Sequence, residues 1–405
     1  TSIPTRTGYT FDKWVMKVNT AYTFAPGDTI PNGWGNFTLV AQWKANQYTA
    51  KWFPNGGTLN VTDSSITKNS DGTAQATVTF NSTSYYGLGI SASRTGYQMT
   101  GFYDATSGGT KVWNNGGNCL KDGKYWNSNN LWIYPNNANF YAQWTANKYT
   151  VSYNANGGTV TPATKTVTYG QSYGELALPI RAGYTFAGWY NGSTLVTNNT
   201  VVTTASNHTL TAKWTTNTAT KYTVKHYIMN VNGVGYTLYA TDNLTGVTDS
   251  TVPFSSVKRS ITGFTYEKVL LDNKTTPEAS TVTGTTIKGD GDRVINFYYS
   301  RNKYSVITTK GTGISSVTAS SNAFYGASVS VNATVTGGYH FAKWASGTTL
   351  LGDSTSNPYV FTMPAGDVNL TAQATANTYT IKYNANGGTG TMADTVHTFN
   401  GNVAT

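Results

Sequence analysis

Four histidines, one cysteine and seventeen acidic residues are all that this 405-residue chain offers to acid–base, nucleophilic or metal chemistry. His208, His226, His340 and His397 stand far apart, and none has a Cys, Asp or Glu at a metal-ligand spacing. No phosphate-binding glycine loop, G-x-S-x-G elbow or Cys–His signature is present. Glu175, Glu267 and Glu278 are the only glutamates, so a paired-carboxylate hydrolase would have to use aspartates. Asp290 and Asp292 in KGDGDR are the pair to consider, and they read as an acidic turn with too few ligands to favour calcium. The expectation is therefore no catalytic residue, no metal, no cofactor and no enzyme activity.

One stretch offers chemistry of another kind. TSGGTKVWNNGGNCLKDGKYWNSNNLWIYPNNANF, Thr106 to Phe140, sets Trp113, Tyr125, Trp126, Trp132 and Tyr134 among asparagines and glycines. Aromatic faces beside amide donors stack against and hydrogen-bond sugar rings, so these five are candidate glycan-binding residues. The plainer reading is that they cover an extra hairpin.

The elements that would carry these residues are strands. Gly, Asn, Thr, Tyr and Trp abound and strong helix formers are scarce, which favours strands and turns. A lone Cys119 leaves no intramolecular disulfide, so stability must come from packed cores, a pattern that fits a secreted bacterial protein. Twenty-seven Lys and Arg against seventeen acids give a net charge of +10. The basic residues are dispersed, with Arg6, Arg94 and Arg181 recurring once per repeat, and no basic block marks a nucleic-acid partner. No apolar run is long enough for a membrane span.

Three signatures recur in fixed order. The first opens a unit: QYTAKWFPNGGT at Gln47, KYTVSYNANGGT at Lys148, KYTVKHYIMNVNG at Lys221, KYSVITTKGTG at Lys303 and TYTIKYNANGGT at Thr378. It reads as a half-buried strand entering a hairpin. The second is mid-unit: RTGYTFDKW, RTGYQMTGFYD, RAGYTFAGWY, ITGFTYEKV and TGGYHFAKW, with glycines Gly8, Gly96, Gly183, Gly263 and Gly338. Aromatics on both faces of that strand predict a twist or bulge. The third closes a unit, as in LVAQWKAN, FYAQWTAN, LTAKWTTN, INFYYSRN and LTAQATAN, and linkers of two to four residues follow. Short linkers predict a fairly stiff rod. Units of roughly 75 residues hold small cores, and Trp14, Trp43, Trp189, Trp214 and Trp344 are the expected core residues.

YTVSYNANGGT, RAGYTFAGWY and LTAKW resemble the Listeria–Bacteroides repeat, or internalin B-repeat, a β-grasp-like module of bacterial surface proteins. The resemblance implies surface stalks and adhesins. It divides the chain into 1–46, the C-terminal part of a split repeat; 47–147, a repeat with the aromatic and Asn-rich insertion; 148–217, a typical repeat; 218–302, closer to mucin-binding-type repeats; 303–377, a divergent repeat; and 378–405, the N-terminal part of a split repeat. The fold expected is all-β to α+β, a tandem array of small β-grasp-like modules forming an elongated rod.

The two split parts match in register. Tyr169 precedes Gly183 by the spacing that would separate Phe399 from Gly8 were Thr405 joined to Thr1. Tyr379, Tyr383, Phe399, Thr405, Thr1, Tyr9, Phe11 and Trp14 are thus candidate seam residues. Strand complementation between copies, a longer covalent array, or an arbitrary boundary would each produce such halves. The leading reading is a structural subunit of an extracellular surface fibre or stalk, its partner another copy of itself. The alternative is an adhesin whose 106–140 insertion binds a glycan or cell-wall polymer. No spacing identifies a Lys–Asn crosslink.

Overall fold

The computed structural model of the chain describes residues 3–83, 89–114, 119–120 and 123–401. Among them the secondary structure is thirty-two strands and one four-residue helix, Phe254–Val257. The fold is all-β, the outcome that the poverty in helix formers favours. The backbone forms two compact units, 1–180 with 186–213, and 181–185 with 214–405.

In the first unit the repeat spanning 47–147 shows the common plan. The four central strands of its six-stranded sheet lie in the order Ala74–Thr79, Gln47–Phe53, Ala138–Ala146 and Tyr97–Tyr103, that is second, first, last, third, with Thr67–Lys68 and Lys111–Asn114 at the two edges. The central pair is parallel, with Ala138 opposite Ala50 and Tyr141 opposite Phe53, and both outer pairs are antiparallel. Period-two alternation buries Ala50 and Trp52 on one face of Gln47–Phe53. The next repeat repeats the order with Thr164–Thr168, Lys148–Asn154, His208–Thr216 and Tyr184–Asn191. Its core includes Val151, Val167, Trp189 and Leu210, each at most 4% exposed.

Asn-Gly-Gly proves to be more than a turn between adjacent strands. In 47–147 the partner of the first strand arrives only at Ala74–Thr79, after a crossover that carries Thr58–Val61 to pair with Ile90–Ser93. Asn55 takes φ +46°, and its side-chain amide donates to the Ala142 carbonyl of the last strand at 2.8 Å. Asn156 does the same, φ +48°, to Ala212 at 3.2 Å. The closing-motif Trp144 donates its indole N–H to the carbonyls of Pro54 and Asn55. A β-carbon on Gly57 would meet that indole at 2.5 Å. This corrects the core assignment for the third motif: Trp43 and Trp214 are half-buried, and so is Trp14, whereas Trp189 and Trp344 are 2% and 0% exposed.

The bulge expected in the mid-unit strand is present. Registers shift between Phe11 and Lys13, between Tyr266 and Lys268, and between Phe341 and Lys343. The extra residue re-aims the strand, so aromatics on both sides of the shift face apolar neighbours.

In the second unit, Tyr236–Gly246, Thr220–Met229, Val294–Arg301 and Phe264–Leu271 form one sheet, and Ser321–Phe324, Lys303–Lys310, Val368–Ala376 and Tyr339–Ser346 another, in the same order. The first of these contains a fully buried histidine. His226 lies between the Tyr299 hydroxyl at 3.0 Å and Asp242 at 3.3 Å, with Arg259 on the far side of Asp242 and the Phe297 ring stacked alongside. Burial, reinforced by Arg259, holds His226 below its ordinary pKa against the pull of Asp242. The unfolded chain then binds the proton more readily than the folded one. The stability of this repeat is accordingly full above pH ~6.5 and declines as the pH falls below it. Thermal melting at pH 7.5 and 5.5 should show a lower transition at the acid pH for 220–301, and His226→Gln should flatten that difference.

Candidate functional site at the repeat joints

Wherever one repeat passes to the next, a single asparagine recurs. Four of the five linkers are one residue long, shorter than the sequence suggests: Asn46, Asn147, Asn302 and Asn377 each stand alone between consecutive strands. The fifth runs from Asn217 to Ala219, between His208–Thr216 and Thr220–Met229.

At the first joint the Asn46 N–H donates to the Gly8 carbonyl at 3.0 Å, and the Asn46 carbonyl accepts from the N–H of Phe80 in the following repeat at 2.9 Å. The Phe80 ring covers Gly8, where a β-carbon would come within 2.4 Å of it. Gly8 has φ +78°, so both the backbone and the space above it require glycine. Tyr9 meets Phe80 edge-on at 5.4 Å. The Asn46 side chain is bonded at both ends, its oxygen accepting from Thr10 Oγ1 and its nitrogen donating to the Tyr48 hydroxyl.

The pattern recurs with changed side chains. Asn147 bridges Gly96 and Tyr169, Asn302 bridges Gly263 and Tyr325, and Asn377 bridges Gly338 and Phe399, all at 2.8–3.0 Å. The covering rings again meet the residue after each glycine edge-on, as Tyr97–Tyr169, Phe264–Tyr325 and Tyr339–Phe399. Asn147 and Asn302 donate to Tyr149 and Tyr304, while Asn302 and Asn377 accept from Thr265 and pair with His340. At Asn217 the ring is replaced: Thr248 takes the backbone position and its hydroxyl donates to the Gly183 carbonyl at 2.8 Å, while Gly289 packs on Gly183. Both main-chain groups of each of these five asparagines are thus paired within the protein.

Each glycine is flagged in the sequence by the mid-unit motif, but its partner ring is not. Phe80, Tyr169, Tyr325 and Phe399 precede or begin loops of different length, so only the fold brings them to the glycine.

Four of the five candidate glycan-binding residues are buried, and the fifth, Tyr134, is half-buried. Trp113, Tyr125, Trp126 and Trp132 are 1%, 5%, 1% and 0% exposed and form the centre of the 47–147 core with Trp52 and Phe140. Trp113 and Trp126 meet edge-on at 4.7 Å, and Trp126 and Trp132 at 5.0 Å. A sugar stacks on an open ring face, and these rings have none. Tyr134 is half-buried against Tyr125. The neighbouring Asn127 spends its side-chain oxygen on the N–H groups of Asn129 and Leu131, inside its own turn. In KGDGDR, Asp290 likewise accepts from the Asp292 N–H.

Of the seam residues, Thr1 and Thr405 lie outside the described residues. Tyr9 and Phe399 serve the joints described above. Phe11 and Trp14 are half-buried, 5.2 Å apart. Tyr379 and Tyr383 are 51% and 39% exposed, whereas Tyr153, the counterpart of Tyr383, is 8% exposed. Among the described residues, Leu39–Ala45 pairs only with Tyr9–Met16, and Thr378–Ile381 only with Thr395–Thr398. In each complete repeat the corresponding first and last strands pair in parallel.

A tandem array of small β-sheet repeats, joined through Asn–Gly contacts, is the class that these features define. The family model of the Listeria–Bacteroides repeat domain matches residues 1–42 and 149–213, and that of the divergent InlB B-repeat domain matches 304–378. These stretches are similar to repeats of the internalin B-repeat type. It is 29% identical over 217 residues to a putative Gly-rich membrane protein of Evansella cellulosilytica, covering 52% of this chain and 21% of that protein. It is 29% identical over 177 residues to internalin H of Listeria monocytogenes, covering 44% and 26%. The chain thus spans about a fifth to a quarter of the length of these relatives. A solved structure, the Bacillus anthracis TIE protein, aligns over 92% of this chain and 76% of that one at 9% identity, with a TM-score of 0.23, a likeness that carries no argument. Among the described residues no helix is long and apolar enough to cross a membrane.

Proposed function

We propose that the chain is a structural segment of an extracellular bacterial surface protein, a spacer whose joints hold successive repeats in fixed orientation. The observation that carries this reading is the pairing of both backbone groups of the linker asparagine, with a ring closed over the partner glycine, at four joints. The surface setting is supported by the relatives, one named a membrane protein and one an internalin. The divisions 1–46, 47–147, 148–217, 218–302, 303–377 and 378–405 are part of the proposal. So is the mucin-binding-type character of 218–302, supported by its long first hairpin, Thr220–Met229 with Tyr236–Gly246, and by the absence of a mid-unit Trp.

The half-repeats fit the same reading. Among the described residues, Leu39–Ala45 has no parallel partner of the kind Thr378–Ile381 would supply, and Trp14 is half-buried where Trp189 is buried. Each half therefore suits the other, supplied by a second copy head to tail or by a longer polypeptide. Sedimentation velocity over a wide concentration range is the test. Self-association is expected, and Ile381→Asp, at the position of the fully buried Val151, should weaken it on the order of 100-fold. A purely monomeric chain at every concentration would remove complementation between copies.

A further inference from the structure

We propose that the cleft beside Arg94 is a binding site for an oxyanion, the phosphate or carboxylate of an extracellular polymer. The cleft has a volume of about 450 Å³ and is lined by Gly56, Gly57, Thr58, Ser93, Thr95 and the Arg94 guanidinium, with Tyr97 and Tyr169 at its edge. Its polar lining and single cationic group set it apart from an apolar pocket.

Arg94 has one neighbour that explains its position and none that neutralises its charge. Its guanidinium carbon lies over the Tyr97 ring, 3.9 Å from the ring centre. Stacking occupies the face of the group and leaves its N–H donors, which lie in its own plane, available at the edge. Among the described residues no carboxylate pairs with Arg94 and no carbonyl accepts from it; the ion pairs of the chain involve other residues. The Asn-Gly-Gly turn wraps the same group closely enough that a β-carbon on Gly56 would lie 3.3 Å from the nearest guanidinium nitrogen. A glycine at 56 therefore keeps the fork uncovered.

A planar fork, held by a ring in a cleft that Thr58, Ser93 and Thr95 also line, matches two oxygens of a phosphate or carboxylate. The same stacked pair recurs as Arg6 on Tyr9 at 4.1 Å, there beside a more apolar cleft in which Ile3, Phe11 and Trp43 join Thr5, Thr7 and Thr10. The net charge of +10 adds a long-range attraction for polyanions. This inference does not rest on the spacer reading, although the cleft shares Tyr97 and Tyr169 with the joint at Asn147; protection of the Tyr169 N–H in the Arg94 variants separates loss of the site from loss of the joint.

The test is an NMR titration of the whole chain with inorganic phosphate, then with poly(glycerol phosphate) and with polygalacturonate. Phosphate should shift the amides of Gly57, Thr58 and Thr95. The polymer that binds more tightly at equal charge identifies the source as phosphate or carboxylate. Arg94→Gln should weaken binding at least tenfold, and Arg94→Lys, which keeps the charge but not the fork, should recover only part of it. Protection of the Tyr97 N–H, which donates to the Arg94 carbonyl at 3.1 Å, confirms that the turn stays folded in the variants. Shifts scattered over surface lysines, unchanged affinity in Arg94→Gln, or full recovery in Arg94→Lys would each overturn the proposal.

Discussion

Trp113→Ala lowers the stability of the 47–147 repeat by about 3–5 kcal/mol, the range for removing a buried large aromatic ring. The indole is 1% exposed and touches Trp52, Phe102, Trp126 and Phe140. Its removal leaves a cavity that four rings, themselves held in contact with one another, can fill only by moving together. A small repeat has little stability in reserve, so a loss of this size abolishes its separate folded population near physiological temperature. Denaturant titration followed by tryptophan fluorescence measures it. Loss of less than about 1 kcal/mol would mean that the insertion is a surface feature after all, since exposed positions usually stay within half of that.

The second large effect belongs to the joint. Gly96→Ala should cost about 2–4 kcal/mol, combining the strain of a β-carbon in left-handed backbone with the loss of a joint hydrogen bond. Gly96 has φ +79°, and the added carbon would lie 2.3 Å from the Tyr169 ring, which must leave. Gly72 supplies the control. It shares φ +79°, but nothing lies within 4 Å of where its β-carbon would be, so Gly72→Ala carries the backbone strain alone, about 1–2 kcal/mol. The difference between the two, read from denaturation of the whole chain, is the contribution of the ring contact. Equal costs would show that Tyr169 does not hold the joint.

Much of the architecture was legible because the repeats print the same pattern several times. Alternation located the opening strands, and a recurring Gly two residues after Arg or its equivalent located the left-handed turns that Gly8, Gly96 and Gly183 occupy. The mixed aromatic faces announced the bulges. The insertion was misleading because composition cannot tell a sugar platform from a core: Trp113, Trp126 and Trp132 stand in the same Asn- and Gly-rich stretch whether the rings face water or one another. The closing-motif tryptophans misled for a related reason. Trp144 spends its N–H on a turn ninety residues away in sequence, a contact that no local pattern encodes. The joint was hidden likewise, since Asn147 is an ordinary linker residue until the strands on either side bring Gly96 and Tyr169 to its two backbone groups.

Amide hydrogen exchange on the intact chain, resolved to single residues, tests the fixed joint most directly. The account predicts slow exchange, comparable with neighbouring strands, at the N–H groups of Asn46, Asn147, Asn302 and Asn377 and of Phe80, Tyr169, Tyr325 and Phe399, all of which donate across a joint. Exchange of these eight amides at the rate of a free peptide, with the strands beside them still protected, would mean that the repeats swing independently and that the chain is a flexible tether.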